Sequence, residues 1–241
     1  MSINLPHWLA EVVNILGFNW PEIDEDELRA AAKGLRSYAA ECKASHGKTH
    51  AIVTGDLQAA YAAQSYTALA DLWGNQTQAH MHSLIEACEL LAGGLDIAAL
   101  GVEAMKDECL IQLGLAAAEL IADQVGAVFT LGLTEALAVA EIELQNRLLN
   151  GILQRFESEV IGALVDQLIG PLKEQVDHAV EKLLFAEIGH LAVGGPPPGL
   201  KLDTAAMRTH AEAIRTQAEA NLTGGREFSG KMSALTFTTG G

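Results

Sequence analysis

Gly225-Arg226-Glu227-Phe228-Ser229-Gly230-Lys231 matches the Gly-x-x-x-x-Gly-Lys frame in which backbone N–H groups and a lysine cradle nucleotide phosphates. Met232 stands where a hydroxyl would hold magnesium, and no strand pattern precedes the frame, so it is not read as a nucleotide site. His46 and His50, spaced i,i+4, and His80-x-His82 with Glu86 one turn on, could each present two metal ligands on a helix. Neither pair has an evident third ligand nearby in sequence, and exposed polar residues are the simpler reading. Cys42, Cys88 and Cys109 form no CxxC pair and no disulfide framework; each lies in an apolar-periodic stretch, as small buried side chains do. A Gly-x-Ser-x-Gly elbow is absent, and the many carboxylates read as solvating charge on helix faces. The chain is therefore expected to be no enzyme, with no catalytic residue, no cofactor and no metal.

What these residues must be mounted on follows from composition. Apolar residues make up 49% of the 241 but aromatics only 5%, so the core has to be built from Ala, Leu, Ile and Val, a mixture that favours closely packed helices over sheets. The expected fold is all-α, an elongated bundle of long antiparallel helices. A net charge of −16 without a Lys/Arg cluster repels phosphate backbones and anionic membrane surfaces, so no nucleic-acid partner is expected. The first residues lack a basic region, and Glu11 interrupts the apolar run that follows, so a cleaved signal peptide is not expected. From Leu110 to Ala140, Glu119, Asp123 and Glu135 leave uncharged runs well short of the roughly 20 residues a spanning helix needs.

Pro21 forces extended geometry on Trp20, and the acidic cluster after it predicts a helix start near Asp24, with an apolar row from Leu28 to about Ala44. A break is expected across residues 43–48, then a second helix from about Asp56 to Leu72, closed by the Trp73-Gly74 pair. Beyond that turn Met81, Leu84, Cys88, Leu91, Leu95, Ala98, Val102 and Met105 recur at three- and four-residue steps, the seam of helices packed side by side. Leu110 to Gly132 is apolar nearly all round, Leu133 to Ile169 is amphipathic, Gly170-Pro171 predicts a break, and a further helix is expected to about Ile188. Gly194-Gly195-Pro196-Pro197-Pro198-Gly199 marks a boundary. The expected domains are a bundle over 1–193, a Pro/Gly-rich linker over 194–203, and over 204–241 a short helix capped by Asp203 and running to about Leu222, with a flexible tail.

A Trp-Gly pair between helices has a physical logic: glycine supplies backbone freedom for a reversal while the indole covers the helix ends. Together with Gly17-Phe18-Asn19-Trp20-Pro21, the run Asp24-Glu25-Asp26-Glu27-Leu28-Arg29, the segment Leu84 to Lys106 and Thr130-Leu131-Gly132, it resembles the WXG-like helical domain at the N-terminus of large actinobacterial effectors exported by type VII secretion, the mycobacterial channel and necrotizing-toxin protein among them. The resemblance covers roughly residues 5 to 190. It implies a non-enzymatic targeting and interaction module of a secreted toxin or effector. It also implies export by a type VII-like route from the cytoplasm, and pairing with a small WXG-like helical hairpin or with a second copy.

The residues expected to bind that partner are Trp73, Gly74, Met81, Leu84, Leu91, Leu95, Val102 and Met105. Two other readings fit the pattern. A pore-forming, membrane-active protein would release the apolar helices between Leu110 and Ile142 at a bilayer, and a structural or immunity-like binding protein would stay in the cytosol.

Overall fold

The computed structural model describes residues 3–5, 9, 13, 16–62, 64–74, 78–126, 134–175, 177 and 201–238. Among them the chain is an all-α bundle of long helices, apart from one two-residue ladder.

Helix α1 (Glu25–Ala51) begins where the acidic cluster predicts. The Asp24 carboxylate accepts from the amides of Asp26 and Glu27 at 2.9 and 3.0 Å, and Glu25, Asp26 and Glu27 place negative charge at the positive end of the helix dipole. The break expected at 43–48 is absent. The buried row Leu35, Ala39, Cys42, Ser45, Thr49 and Val53 continues through it at three- and four-residue steps, and burial along that row outweighs the roughly 1 kcal/mol that Gly47 costs in a helix. A wide π turn (Ile52–Asp56) leads into α2 (Leu57–Ala60), which stops because Tyr61 is extended, at φ −138° and ψ 106°. Here β1 (Tyr61–Ala62) pairs antiparallel with β2 (Lys201–Leu202), and the Asp203 amide donates to the Ala60 carbonyl at 2.9 Å, taking it out of the helical ladder. The helix expected over Asp56 to Leu72 is thus interrupted, and its second part is α3 (Gln64–Leu72).

Helix α4 (Gln78–Gly126) is one 49-residue helix that joins the predicted seam to the apolar stretch after it. Helix α5 (Thr134–Phe156) runs through a π turn (Glu157–Ile161) into the short α6 (Gly162–Leu164) and a second π turn (Val165–Ile169). Helical conformation resumes at 170–175, so Gly170-Pro171 does not end it; the wide turn just before Pro171 takes up the register change that a missing amide demands. The helix expected on to Ile188 and the Pro/Gly linker at 194–199 lie outside the described residues. Helix α7 (Thr204–Ser233) is capped as expected, the Asp203 carboxylate accepting from the amides of Ala205 and Ala206 at 3.1 and 3.0 Å. With 30 residues it is much longer than the short helix expected, and residues 223–233, expected to be loose, are part of it.

The chain divides into two compact units, to both of which α1 and α4 contribute. The first comprises residues 1–30, 94–167 and 236–241. Its core joins Leu9, Val13, Leu16, Phe18 and Leu28 to the α4 row Ala99, Val102, Met105, Cys109, Leu113 and Ala116, and to Leu149 and Ile152 of α5. A carbon added at Gly101 would come within 2.6 Å of Val160, and Arg155 reaches Glu108 at 3.3 Å, so the two helices run antiparallel at close approach.

The second unit comprises residues 31–93 and 168–235. There α7 lies against α1: Tyr38 and Phe228 stack with ring centres 4.6 Å apart, and the Ser45 hydroxyl meets Gln217 at 3.3 Å. Gly34 faces Met232, and Gly225 faces the Tyr38 hydroxyl. Tyr66 closes the α2 and α3 region by donating its hydroxyl to the Val53 carbonyl at 3.0 Å.

Candidate interaction surface

The start of α1 is where the first unit gathers its chain segments. Lys106 is fully buried, and its ammonium donates to the Ile3 carbonyl at 3.1 Å, the Ile23 carbonyl at 2.6 Å and the Glu25 carboxylate at 2.8 Å. These use all three N–H donors of the ammonium. Glu25, also fully buried, accepts from the Ile3 amide at 2.7 Å through its other oxygen. Two residues on, Glu27 accepts from the amides of Thr236 (2.9 Å) and Phe237, while the Asp24 amide donates to the Phe237 carbonyl at 3.0 Å and Ile23 bridges Thr238. Phe237 has φ +58°, left-handed geometry that a bulky residue adopts only when its neighbours impose it, and its ring packs on the core. A strap of residues 236–238 is thus held to the same helix end as Ile3.

The seam expected to bind a partner changes character along α4. Leu84 is 37% exposed, Met81, Leu91 and Leu95 are half-buried, and Val102 and Met105 are 2% and 4% exposed inside the first unit's core. Val102 and Met105 are therefore core residues, not surface, because their spacing puts them on the same row as Cys109 and Leu113. Trp73 and Gly74 follow α3 in the second unit and are half-buried. The indole stacks on His46 with ring centres 6.1 Å apart, and its Nε1–H is buried without a partner among the described residues. Gly74 does not use left-handed geometry; among the described glycines Gly17 does, at φ +65°.

Among the described residues this arrangement offers helix faces, and a comparison with known families places them in a family. Residues 3–145, more than half of the chain, match the model of the WXG100 like domain. The chain belongs to the WXG100-like family. That family is helical, associated with type VII secretion, and non-enzymatic. No curated protein and no solved structure matches the chain.

The residues of this WXG100-like chain that could do chemistry are used otherwise. The phosphate-loop frame Gly225–Lys231 lies inside α7, where its amides serve the helix and Phe228 is stacked on Tyr38. His82 pairs with Glu86 at 2.9 Å on an exposed face, and His46 and His50 have ring centres 6.2 Å apart. Burial, and then the charge on His50, hold the His46 imidazole below its ordinary pKa. Among the described residues no group of three or more His, Cys, Asp or Glu side chains could hold a metal ion. Cys42, Cys88 and Cys109 are buried free thiols, and burial, with Glu108 adding to it, pushes Cys109 up to about 11. Among the described residues no helix is long and apolar enough to cross a membrane.

Lys106 carries little local signal in the sequence. A lone lysine between Met105 and Asp107 reads as solvent-facing, yet Val102, Lys106, Cys109 and Leu113 form a four-three-four row that places it on the buried face.

Proposed function

We propose that this chain is the targeting and pairing module of a toxin or effector exported by a type VII-like system, without catalysis of its own, and that it leaves the cell joined to a small WXG-like helical hairpin. The observation that carries this reading is the family match over residues 3–145. Supporting it is a helical framework with aliphatic side chains left in water: Leu84, Leu100, Ile111, Leu115, Leu144 and Leu148 are each more than a third exposed. The accessible part of the pairing surface is Trp73, Gly74, Met81, Leu84, Leu91 and Leu95, while Val102 and Met105 hold α4 in place from inside.

The test is export in the native host. A tagged chain is followed into the culture medium with and without the motor ATPase of the secretion system, and the medium is searched for a co-exported small helical protein. ATPase-dependent appearance together with such a protein supports the reading. Retention inside intact cells of both strains overturns export, and export of the chain alone overturns pairing.

A further inference from the structure

We propose that the outer face of the α4 and α5 pair in the first unit docks a helix of the partner whose own apolar row carries a lysine or arginine that meets Asp107. This rests on the pairing reading above and adds to it a further contact face, with a charge requirement.

Leu100, Ala104, Asp107, Ile111 and Leu115 are spaced four, three, four and four residues apart, which places them on one face of α4, opposite the core row Val102, Cys109, Leu113 and Ala116. Leu100, Ile111 and Leu115 are 61%, 64% and 52% exposed. The Arg155 to Glu108 ion pair, at 3.3 Å, ties α4 to α5 along one side of this face. Ile111 and Leu115 lie one and two turns beyond Glu108. Leu148 and Leu144, 47% and 56% exposed, lie about two and three turns before Arg155 on α5. Because the helices are antiparallel, both sets leave the ion pair in the same direction, giving two aliphatic rails. From Leu100 to Leu115 the α4 rail spans about 22 Å at the helical rise, the length a four-turn partner helix covers.

Charge decides what lies on it. Three carboxylates near the rails are paired with cations: Glu103 with Arg29, Glu108 with Arg155, and Glu143 with Arg147. Asp107 sits in the middle of the apolar row, exposed, with no cation among the described residues. A helix laid across it with only aliphatic side chains would strip water from an unanswered carboxylate, whereas one with Lys or Arg at that point would answer it and fix its register. A second copy of this chain, at −16, brings further negative charge to the face and is disfavoured.

The test uses two synthetic amphipathic helical peptides with leucines at the spacing of the α4 row, differing only in Lys or Glu at the position opposite Asp107. Binding to the full chain is read by fluorescence anisotropy at physiological salt. The lysine peptide is expected to bind about tenfold more tightly or better, Asp107→Lys is expected to invert the preference, and Ile111→Ser with Leu115→Ser is expected to abolish binding while leaving the melting curve unchanged. Equal binding of both peptides, a preference that survives Asp107→Lys, binding that survives the double serine variant, or no binding of either peptide overturns the proposal. So does sedimentation of the chain as a dimer that the double serine variant dissociates, because a second copy would then be the occupant. Failure here with a co-exported hairpin found in the medium overturns the face and leaves pairing standing; no co-exported hairpin overturns the pairing itself.

Discussion

Lys106→Met removes the charge at the centre of the first unit's buried network without removing its bulk. The ammonium satisfies three oxygens, so the substitution leaves the carbonyls of Ile3 and Ile23 without that donor and strands the Glu25 carboxylate, fully buried, with the Ile3 amide as its remaining partner. Breaking a buried pair by deleting one member costs about 3–5 kcal/mol, chiefly because the other charge stays behind. In a chain of this size that lowers the unfolding midpoint by about 10 °C. Adding Glu25→Gln neutralises the stranded charge while keeping an oxygen that can accept from Ile3, so the double variant should regain about 1–2 kcal/mol over Lys106→Met alone. Urea unfolding of wild type, both singles and the double measures this as a cycle. A Lys106→Met loss under about 1 kcal/mol, or a double variant no more stable than Lys106→Met, would refute the reasoning that an uncompensated buried charge dominates.

Gly101→Ala should destabilise by about 1–2 kcal/mol, because the new carbon meets Val160 at 2.6 Å and the overpacking exceeds the helical gain. Gly114→Ala, with open space around it, should stabilise the same helix by about 0.5–1 kcal/mol; thermal melts giving the same sign for both would show that α4 and α5 do not meet at Gly101. Glu27→Ala should release the strap, so the amides of Thr236 and Phe237 lose hydrogen-exchange protection while the Lys106 network keeps the start of α1 folded, and unchanged protection would show that Glu27 does not hold the strap. Burial raises the Cys109 thiol to about 11 and the Tyr38 hydroxyl to about 12, both above their ordinary values. Their contribution is therefore full below the unfolded pKa values and is lost as pH rises, for Cys109 between 9.0 and about 11 and for Tyr38 between 10.0 and about 12. Melting temperatures from pH 8 to 11 should fall less steeply in Cys109→Ala than in wild type, and parallel curves would remove Cys109 from the account.

The helix class and the start of α1 were legible because they depend on signals local in sequence: an Ala/Leu-rich composition, an acidic first turn, and a capping Asp24. The position of Asp203 as a cap was legible for the same reason. Where helices stop was not. The glycine and lysines at 43–48 look like a terminator, but a buried row on one face carries α1 through them. Conversely nothing near Tyr61 announces an end; the chain turns extended there because Leu202, 141 residues away, offers a strand partner. Long-range pairing of that kind leaves no local mark. The length of α7 is not legible for a similar reason: Gly224 and Gly225 weaken a helix in isolation, while packing against α1, with Phe228 stacked on Tyr38, carries α7 through them.

The interaction residues show the same division. A three- and four-residue apolar period states that a row is buried against something, and is silent on whether that something is the chain itself. On α4 both kinds occur: Val102 and Met105 face the chain's own core, whereas Leu100, Ile111 and Leu115 lie on the opposite side and stay in water. The outer row is hard to read in the sequence because Asp107 interrupts it, and a charge within an apolar row ordinarily disqualifies it as a core face. An interface obeys a different rule, since a buried carboxylate is tolerated when the other protein supplies the cation. Lys106 is the intramolecular version of that rule one residue earlier: a charge inside an apolar row, admitted because Glu25 answers it within the same chain. The two adjacent residues differ in where the opposite charge comes from, and that difference separates the row that holds this protein together from the row proposed to hold it to another.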